Sequence, residues 1–384
     1  MKRRLPLLLL LMVLCLTVTS VVADEEVSLF QVPTPAPAIT EQTVESPSEP
    51  AQTQDAIIPA ANILPDGSVV VTISAVGDLT FGGDVRKSAA SIFDRELKKQ
   101  GNDLSFVTRN VKELLSQDDM TIANFETTLT TAPVYKKSNQ FVFSAPPEYV
   151  EILEHGSIEA VSFENNHAMD HGETGISDTQ EVLTSAGITW STEKQPAVFE
   201  TASGIKIGLL SYQTFNGQYP RLQTQVPNDI ANMRNQADIV LVSYHWGDEL
   251  DYAPNARQQQ LGRLTIDAGA DLVVGHHSHR INPIELYNGK YIVYSLANFS
   301  FAGNNKPDDM SSFIFQTRFS VKDGSAQPYG FRIIPMRISS KTDYNDFIPT
   351  PFTDQRLIDN VINVLQSNGK KLEYAVAFYP MDWE

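Results

Sequence analysis

The sequence has one cysteine, Cys15, among 384 residues. A single thiol excludes an intramolecular disulfide and a thiolate-rich metal site. Cations are also few: 29 Lys and Arg face 46 Asp and Glu, for a formal net charge of −17. With no surplus of cations to neutralise phosphates, nucleic acid is excluded as a partner class. An anionic ligand has to be met by metal ions or by a local basic patch. Between Asp24 and Asp66 there is no Lys or Arg, Phe30 is the only aromatic residue, and seven prolines interrupt the chain. Such a stretch cannot bury enough apolar area to offset the entropy of ordering, so 24–66 reads as a disordered, acidic, Pro-rich linker.

Before the linker, Lys2-Arg3-Arg4 precede an apolar run from Leu5 to Leu16, with small residues up to Ala23. Residues 1–23 read as a signal peptide cleaved after Ala23, or as a retained membrane anchor, because Leu5 to Val22 is close to a spanning length. Both readings place the domain outside the cytoplasm, secreted or anchored at the cell surface. Apolar residues make up 42% of the chain, enough for a sizeable core.

Ordered structure is expected from Val69. Val69 to Val76 is β-branched and ends at Gly77-Asp78, as a buried strand would. Helical patterns cover 88–100 and 103–115, and a strand covers 120–125. Pro146-Pro147 opens a helix to His155, a strand follows at 158–163, and 173–186 is helical. Strands are expected at 205–212, 239–244, 272–274, 281–287 and 291–296, with a helix at 256–268. Late antiparallel strands are expected at 312–321 and 331–338, and 354–366 reads as an amphipathic helix. Alternating strands and helices followed by a run of strands point to an α/β fold with more than one sheet. Residues 67–340 are assigned to this domain and 341–384 to a C-terminal extension packed on it.

Histidines gather where these strands end: His167 and His171 after the 158–163 strand, His245 after the 239–244 strand, and His276, His277 and His279 after the 272–274 strand. Asp78 and Glu126 occupy similar places. Ligand sites in α/β sheets lie beyond the carboxyl ends of strands. Imidazole and carboxylate together suit Mn, Fe or Zn. Two such ions about 3.5–4 Å apart hold both a nucleophile and an ester oxygen, a bridging carboxylate keeps them together, and an unmetallated His protonates a leaving group.

Seven segments together resemble the CapA family of poly-gamma-glutamate capsule synthesis proteins, within the calcineurin-like metallophosphoesterase superfamily. They are Val76-Gly77-Asp78, Ala123-Asn124-Phe125-Glu126, Gln140 to Pro147, Asn165 to Gly172, His245-Trp246-Gly247, Ile266 to His279, and Tyr294 to Phe299. The resemblance covers about 71–338. It implies a four-layer αββα sandwich, metallophosphoesterase-like, with the metal site at the sheet ends. It also implies Asp78 as the first metal-ligand acid, Glu126 as the bridging acid, Asn166 as a ligand, His167 as the general acid and His245 as a further ligand. From the last cluster it implies His279 together with either His276 or His277.

The chain departs from the superfamily pattern at Thr80, where a ligand His is usual, at Glu126, where Asp is usual, and by one extra His in 275–279. Arg280 reads as an anion-binding residue for substrate or as a solvated loop cation. Trp246 reads as a pocket wall or a core aromatic, and Glu164 as an acceptor for a ligand His or a polar strand end. The implied function is an exported, metal-dependent hydrolase acting on a phosphoester or related bond. The competing one is a non-catalytic, polymer-binding member of a capsule export assembly in the membrane. The implied cofactors are two divalent transition-metal ions, and the implied partner is an anionic envelope polymer such as poly-gamma-glutamate or a phosphoester substrate.

Overall fold

The computed structural model describes residues 62–86, 91–134, 141–215 and 217–383. The expected signal or anchor segment and residues 24–61 of the expected linker lie outside them. Residues 62–66 differ from the expectation of a free linker. Ile63 bridges to Val69, Gly67 N donates to Leu64 O, and Lys322 Nζ donates to Asp66 O.

In chain order the elements are β1 (Val69–Thr80), α1 (Ile92–Lys99), α2 (Lys112–Leu115), β2 (Met120–Phe125), β3 (Thr128–Leu129), β4 (Ser144–Ala145), α3 (Glu151–His155), β5 (Ala160–Ser162), α4 (Gly172–Ser185), β6 (Thr189–Ser191) and β7 (Ala197–Glu200). There follow β8 (Lys206–Gln213), α5 (Tyr219–Met233), β9 (Ile239–His245), α6 (Ala256–Asp267), β10 (Leu272–His276), β11 (Ile284–Tyr287), β12 (Lys290–Val293), β13 (Asn298–Phe301), β14 (Ser311–Lys322), β15 (Ser325–Arg337), β16 (Thr350–Pro351) and α7 (Gln355–Gly369).

One sheet runs β16-β15-β14-β1-β2-β5-β6, with β13 also paired to β1; the second runs β11-β12-β10-β9-β8-β7. Each sheet contains a run of parallel strands: β1, β2, β5 and β6, reaching one edge of the first, and β12, β10, β9 and β8 in the middle of the second. Side-chain alternation builds the layers. Val71, Ile73 and Ala75 of β1 meet Leu209, Leu241, Leu272 and Val274 between the sheets. Leu210, Val240, Val242 and Val273 point the other way, against Leu222, Val226 and Ile230 of α5 and Leu261 and Ile266 of α6. Leu79 and Phe81 pack outward among Phe93 of α1, Leu183 of α4 and Phe106. The result is the αββα sandwich, two buried sheets faced by helices on both outer sides.

Local signals account for most elements. Ser91 caps α1 by accepting from Asp94 N, and Asn255 caps α6 by accepting from Arg257 N and Gln258 N, each in a capping box. The helix expected over 103–115 is broken into a single turn at 104–106 and the short α2. Asp103 caps Ser105 N there, and the β-branched Thr108 is buried with its methyl close against Gly156. The strand expected from Ile281 starts only at Ile284, because Pro283 supplies no ladder donor. Helix α5 was not expected at all; Pro220 and Pro227 mask its spacing of Leu222, Val226, Ile230 and Met233.

The extension at 341–384 takes part in the core. Val361 and Leu365 of α7 and Tyr379 close the cluster between the sheets, and the guanidinium groups of Arg318 and Arg332 both lie over the Trp383 ring. Among the described residues no helix is long and apolar enough to cross a membrane.

Candidate metal centre at the strand ends

Asp78 ends the inner face of β1, where the ladder shifts register. Gly77 makes that position reachable: a Cβ there would lie 2.1 Å from Ala297 O, inside the loop that also accepts from Asp78 N. His245 ends β9 and His276 ends β10, paired in register on the inner face of the second sheet. Parallel neighbours end together, so the two sheets deliver their terminal polar residues to one place.

Two groups of donors result. Glu126, His245 and His277 form one, and Asp78, Glu126 and His279 form the other; within each, the ligand atoms lie within 4.8 Å of one another. Glu126 is common to both. Its Oε1 stands 3.7 Å from His245 Nε2 and 3.9 Å from His167 Nε2. Asn166 Oδ1 stands 2.7 Å from His245 Nε2, which puts it beside the first group. The backbone sets His276 and His277, the two alternatives of the sequence reading, in different places. His277, at φ +93°, turns its Nδ1 to 3.1 Å from His245 Nε2. His276 stays on the strand and belongs to neither group.

His167 also belongs to neither group. Its Nδ1 lies 2.7 Å from Asp170 Oδ2, an oxygen that also accepts from Phe143 N. The ring packs on Phe143 with centroids 4.4 Å apart, which leaves Nε2 as the nitrogen on the Glu126 side.

The electrostatics follow from burial and neighbours. Burial, then the charge on Asp78, pushes Glu126 well above the usual carboxylate range. Burial, then His277, holds His245 well below the imidazole range, and burial, then His279, lowers His277 to about 4. For Asp78, burial opposes the charge, but His276 and His279 outweigh it and hold the carboxyl well below its usual value. Burial also opposes the charge on His279; contact with Asp78 and the field of Glu126 win, and raise it to about 9.

The donor set fits divalent transition metal. Asp78 Oδ2, Glu126 Oε2 and both ring nitrogens of His276 are buried without a hydrogen-bond partner. Each such atom costs about 1–3 kcal/mol unless something satisfies it. A cation bound by carboxylate oxygens and imidazoles would satisfy Asp78 and Glu126.

Other candidate residues take other places. Arg280 is nearly buried; its Nη1 donates to His279 O and its guanidinium lies over Tyr252, so it braces the loop that presents His279. Trp246 meets both readings: it is fully buried, stacked on Tyr244 and donating to Tyr294 O, and it also lines a cavity of about 190 Å³ with Phe215 and Tyr219. Glu164 accepts from Glu193 N and Gln213 Nε2 and lines a cavity of about 570 Å³ beside Ala168 and Met169. His171 precedes α4, with Nδ1 2.7 Å from Ala132 O, and takes no part in either donor group.

Besides Asn298, whose Oδ1 lies 2.9 Å from His279 Nδ1, three polar residues of the site were not singled out from sequence: Asn124, Asn165 and Asp170. Asn124 Nδ2 donates to Asp78 Oδ1 at 2.8 Å and lies 3.3 Å from His245 Nδ1. Asn165 Nδ2 donates to Asn124 Oδ1 and Phe125 O, and its Oδ1 accepts from His167 N. All three stood inside the quoted motifs. Their signal was position, at strand ends or three residues beyond a His, rather than residue type.

Known proteins share this arrangement of sequence. The PGA biosynthesis protein CapA of Bacillus subtilis (strain 168) is 33% identical over 251 residues, covering 60% of this chain and 63% of that protein. The capsule biosynthesis protein CapA of Bacillus anthracis is 27% identical over 255 residues, covering 60% of each chain. The chain thus spans less than two thirds of the length of these curated relatives. Among solved structures, the calcineurin-like phosphoesterase YfkN from Bacillus subtilis is 15% identical, with a TM-score of 0.45 over 78% of this chain and 99% of that one. A hypothetical protein from Thermus thermophilus is 14% identical, with a TM-score of 0.41 over 70% of this chain and 99% of that one. The bacterial capsule synthesis protein PGA_cap family model matches residues 72–302, the stretch that carries every donor described above, and the chain belongs to that family.

Proposed function

We propose that the chain is a metal-dependent hydrolase of capsule polymer synthesis, cutting a phosphoester or related bond, with poly-gamma-glutamate or a phosphoester as its anionic partner. The observation that carries this reading is the sharing of Glu126 by two donor groups, with His167, a member of neither, 3.9 Å away. A site that only held metal for structure would have no use for an oriented, unmetallated imidazole at its edge.

Asp78, Glu126 and His279 would hold one ion; Glu126, Asn166, His245 and His277 would hold the other. Bound there, two ions lower the pKa of a coordinated water and polarise an ester oxygen. The chain's own residues do the rest. Burial keeps His245 and His277 neutral, with lone pairs available. Asp170 accepts from Nδ1 and fixes the His167 ring with Nε2 towards the site; the ring hands a proton to a leaving group from Nε2 only when it is protonated at both nitrogens. Phe143, packed on His167, excludes water from one face of that ring. The N-terminal Lys2-Arg3-Arg4 and the apolar run after it support action outside the cytoplasm, with the chain secreted or held at the cell surface within a capsule-synthesis assembly.

One observation favours a second reading, a polymer-binding member of an export assembly without turnover. Thr80 stands two residues after Asp78 with its Oγ1 buried and unpartnered, and among the described residues the Asp78 group brings together three carboxylate or imidazole donors. Loading the purified protein with Mn, Fe or Zn and screening phosphodiesters and phosphomonoesters separates the two. Turnover that tracks metal content supports the hydrolase. Retained metal and poly-gamma-glutamate binding without turnover of any ester supports the binder.

A further inference from the structure

We propose that His276 is a positioning residue for Asp78: from the floor of the cluster it faces Oδ1 of that carboxylate and so leaves Oδ2 as the oxygen offered to metal. The inference rests on the metal reading of the site, and goes beyond it by giving the extra histidine of the 275–279 run its own task.

His276 continues the inner face of β10, after Leu272 and Val274, which lie in the core between the sheets. It is 1% exposed, at a position where an aliphatic side chain would bury no polar atom. Neither ring nitrogen has a hydrogen-bond partner among the described residues. A buried, unpaired imidazole is costly and calls for a reason. His276 falls outside both donor groups, so neither group supplies that reason.

The neighbouring carboxylate supplies one. The two oxygens of Asp78 are in different surroundings. Oδ1 accepts from Asn124 Nδ2 at 2.8 Å and has His276 Nδ1 at 3.4 Å. Oδ2 has no hydrogen-bond partner and stands 3.2 Å from His279 Nδ1, on the side of the second donor group. A carboxylate is symmetric, so nothing in its own chemistry decides which oxygen faces an ion. Donors on one oxygen decide it. A neutral imidazole can face Oδ1 favourably only with the proton on Nδ1, since an Nδ1 lone pair would meet the carboxylate's own. At 3.4 Å the contact is a close electrostatic one rather than a formed hydrogen bond. It reinforces Asn124 from the opposite sheet, and ties the end of β10 to the end of β1.

The test uses the full chain with His276→Leu and His276→Gln. Metal-free protein is titrated with Mn²⁺ or Zn²⁺, and its melting temperature is recorded before loading. We expect His276→Leu to weaken one of the two binding events by about 10–100-fold, the usual loss when a group that orients a ligand is removed. His276→Gln, which keeps an N–H donor, recovers most of that loss. Wild type carrying ¹¹³Cd and ¹⁵N-histidine is expected to show metal–nitrogen coupling to His245, His277 and His279 but none to His276, with the His276 proton on Nδ1. Coupling to His276 overturns the inference in favour of a ligand. Unchanged affinity in His276→Leu overturns it too. If His276→Leu fails to fold, the coupling experiment on wild type and the affinity of His276→Gln decide the matter. Wild type that takes up no metal is a different result, which removes the functional reading itself.

Discussion

The two donor groups share Glu126 yet keep opposite proton balances. Around His245 and His277, burial and a neighbouring imidazole (His277 beside His245, His279 beside His277) hold both rings neutral, the latter at about 4. Around Asp78, burial is overruled: two carboxylates face His279 and raise it to about 9, so that it carries a proton at neutral pH. Identical side chains, a few ångströms apart, are thus set in opposite states by which charge each one touches. In the metal-free protein the His279 proton does part of the work of a cation. An ion entering the Asp78 group would have to displace that proton, whereas His245 and His277 are neutral and have no second ring proton to lose.

The largest effect expected is that of Glu126→Ala, which removes the ligand common to both groups. Metal analysis after dialysis should show loss of both ions; two ions retained would mean the groups are independent. Next comes His167→Ala, which should lower turnover of any accepted ester by about 10²–10⁴-fold, the range for a positioned proton donor. Its metal content should stay at the wild-type level, and metal loss as complete as in His245→Ala would show that the assigned roles are wrong.

The contrast between the groups is sharpened by proton counting. Calorimetric titration in buffers of different ionisation enthalpy should show about one more proton released on filling the Asp78 group than on filling the His245 group. His279→Ala should erase the difference; equal release in wild type would break the comparison.

A pH scan tests the same point through stability. The folded value for His279 lies above its ordinary 6.5, so the stability it contributes is complete below pH 6.5 and is lost as pH rises towards 9. Glu126, also raised, adds a loss of the same sign above its ordinary 4.5. His245 and His277 are lowered, so their opposite contribution ends near pH 6.5. Metal-free protein should therefore melt at steadily lower temperature between pH 6.5 and 9, and bound metal should flatten that slope. A flat metal-free profile would show that His279 is not held charged. The smallest effect is that of His171→Ala. It forfeits one contact, with Ala132 O, so a cost of about 1 kcal/mol and unchanged metal content are expected.

How much of the site was legible in the sequence depended on residue type. Histidines at strand ends are uncommon and chemically suggestive, so His167, His245, His277 and His279 stood out. Asn124 and Asp170 did not, because Asn and Asp are ordinary at turns and strand ends. Only their distances, 2.8 Å to Asp78 and 2.7 Å to His167, give them roles. The fold was legible where periodicity was clean, as in β1, β2 and α6. It was hidden where prolines interrupted a helix, as in α5, or where a strand was only three or four residues long, as in β6 and β7.

Local order in the sequence determined the alternation of strand and helix, the apolar faces that make two sheets pack, and the set of residue types able to hold a metal. These are short-range properties, written in periods of two and of about 3.6. The tertiary structure alone decided which of His276 and His277 joins a donor group, because a positive φ at His277 turns one ring away from the strand that keeps the other. It also decided which histidine keeps a proton and which oxygen of Asp78 is left free. Those outcomes depend on charges from strands far apart in sequence, brought within about 4 Å only when the two sheets close on each other.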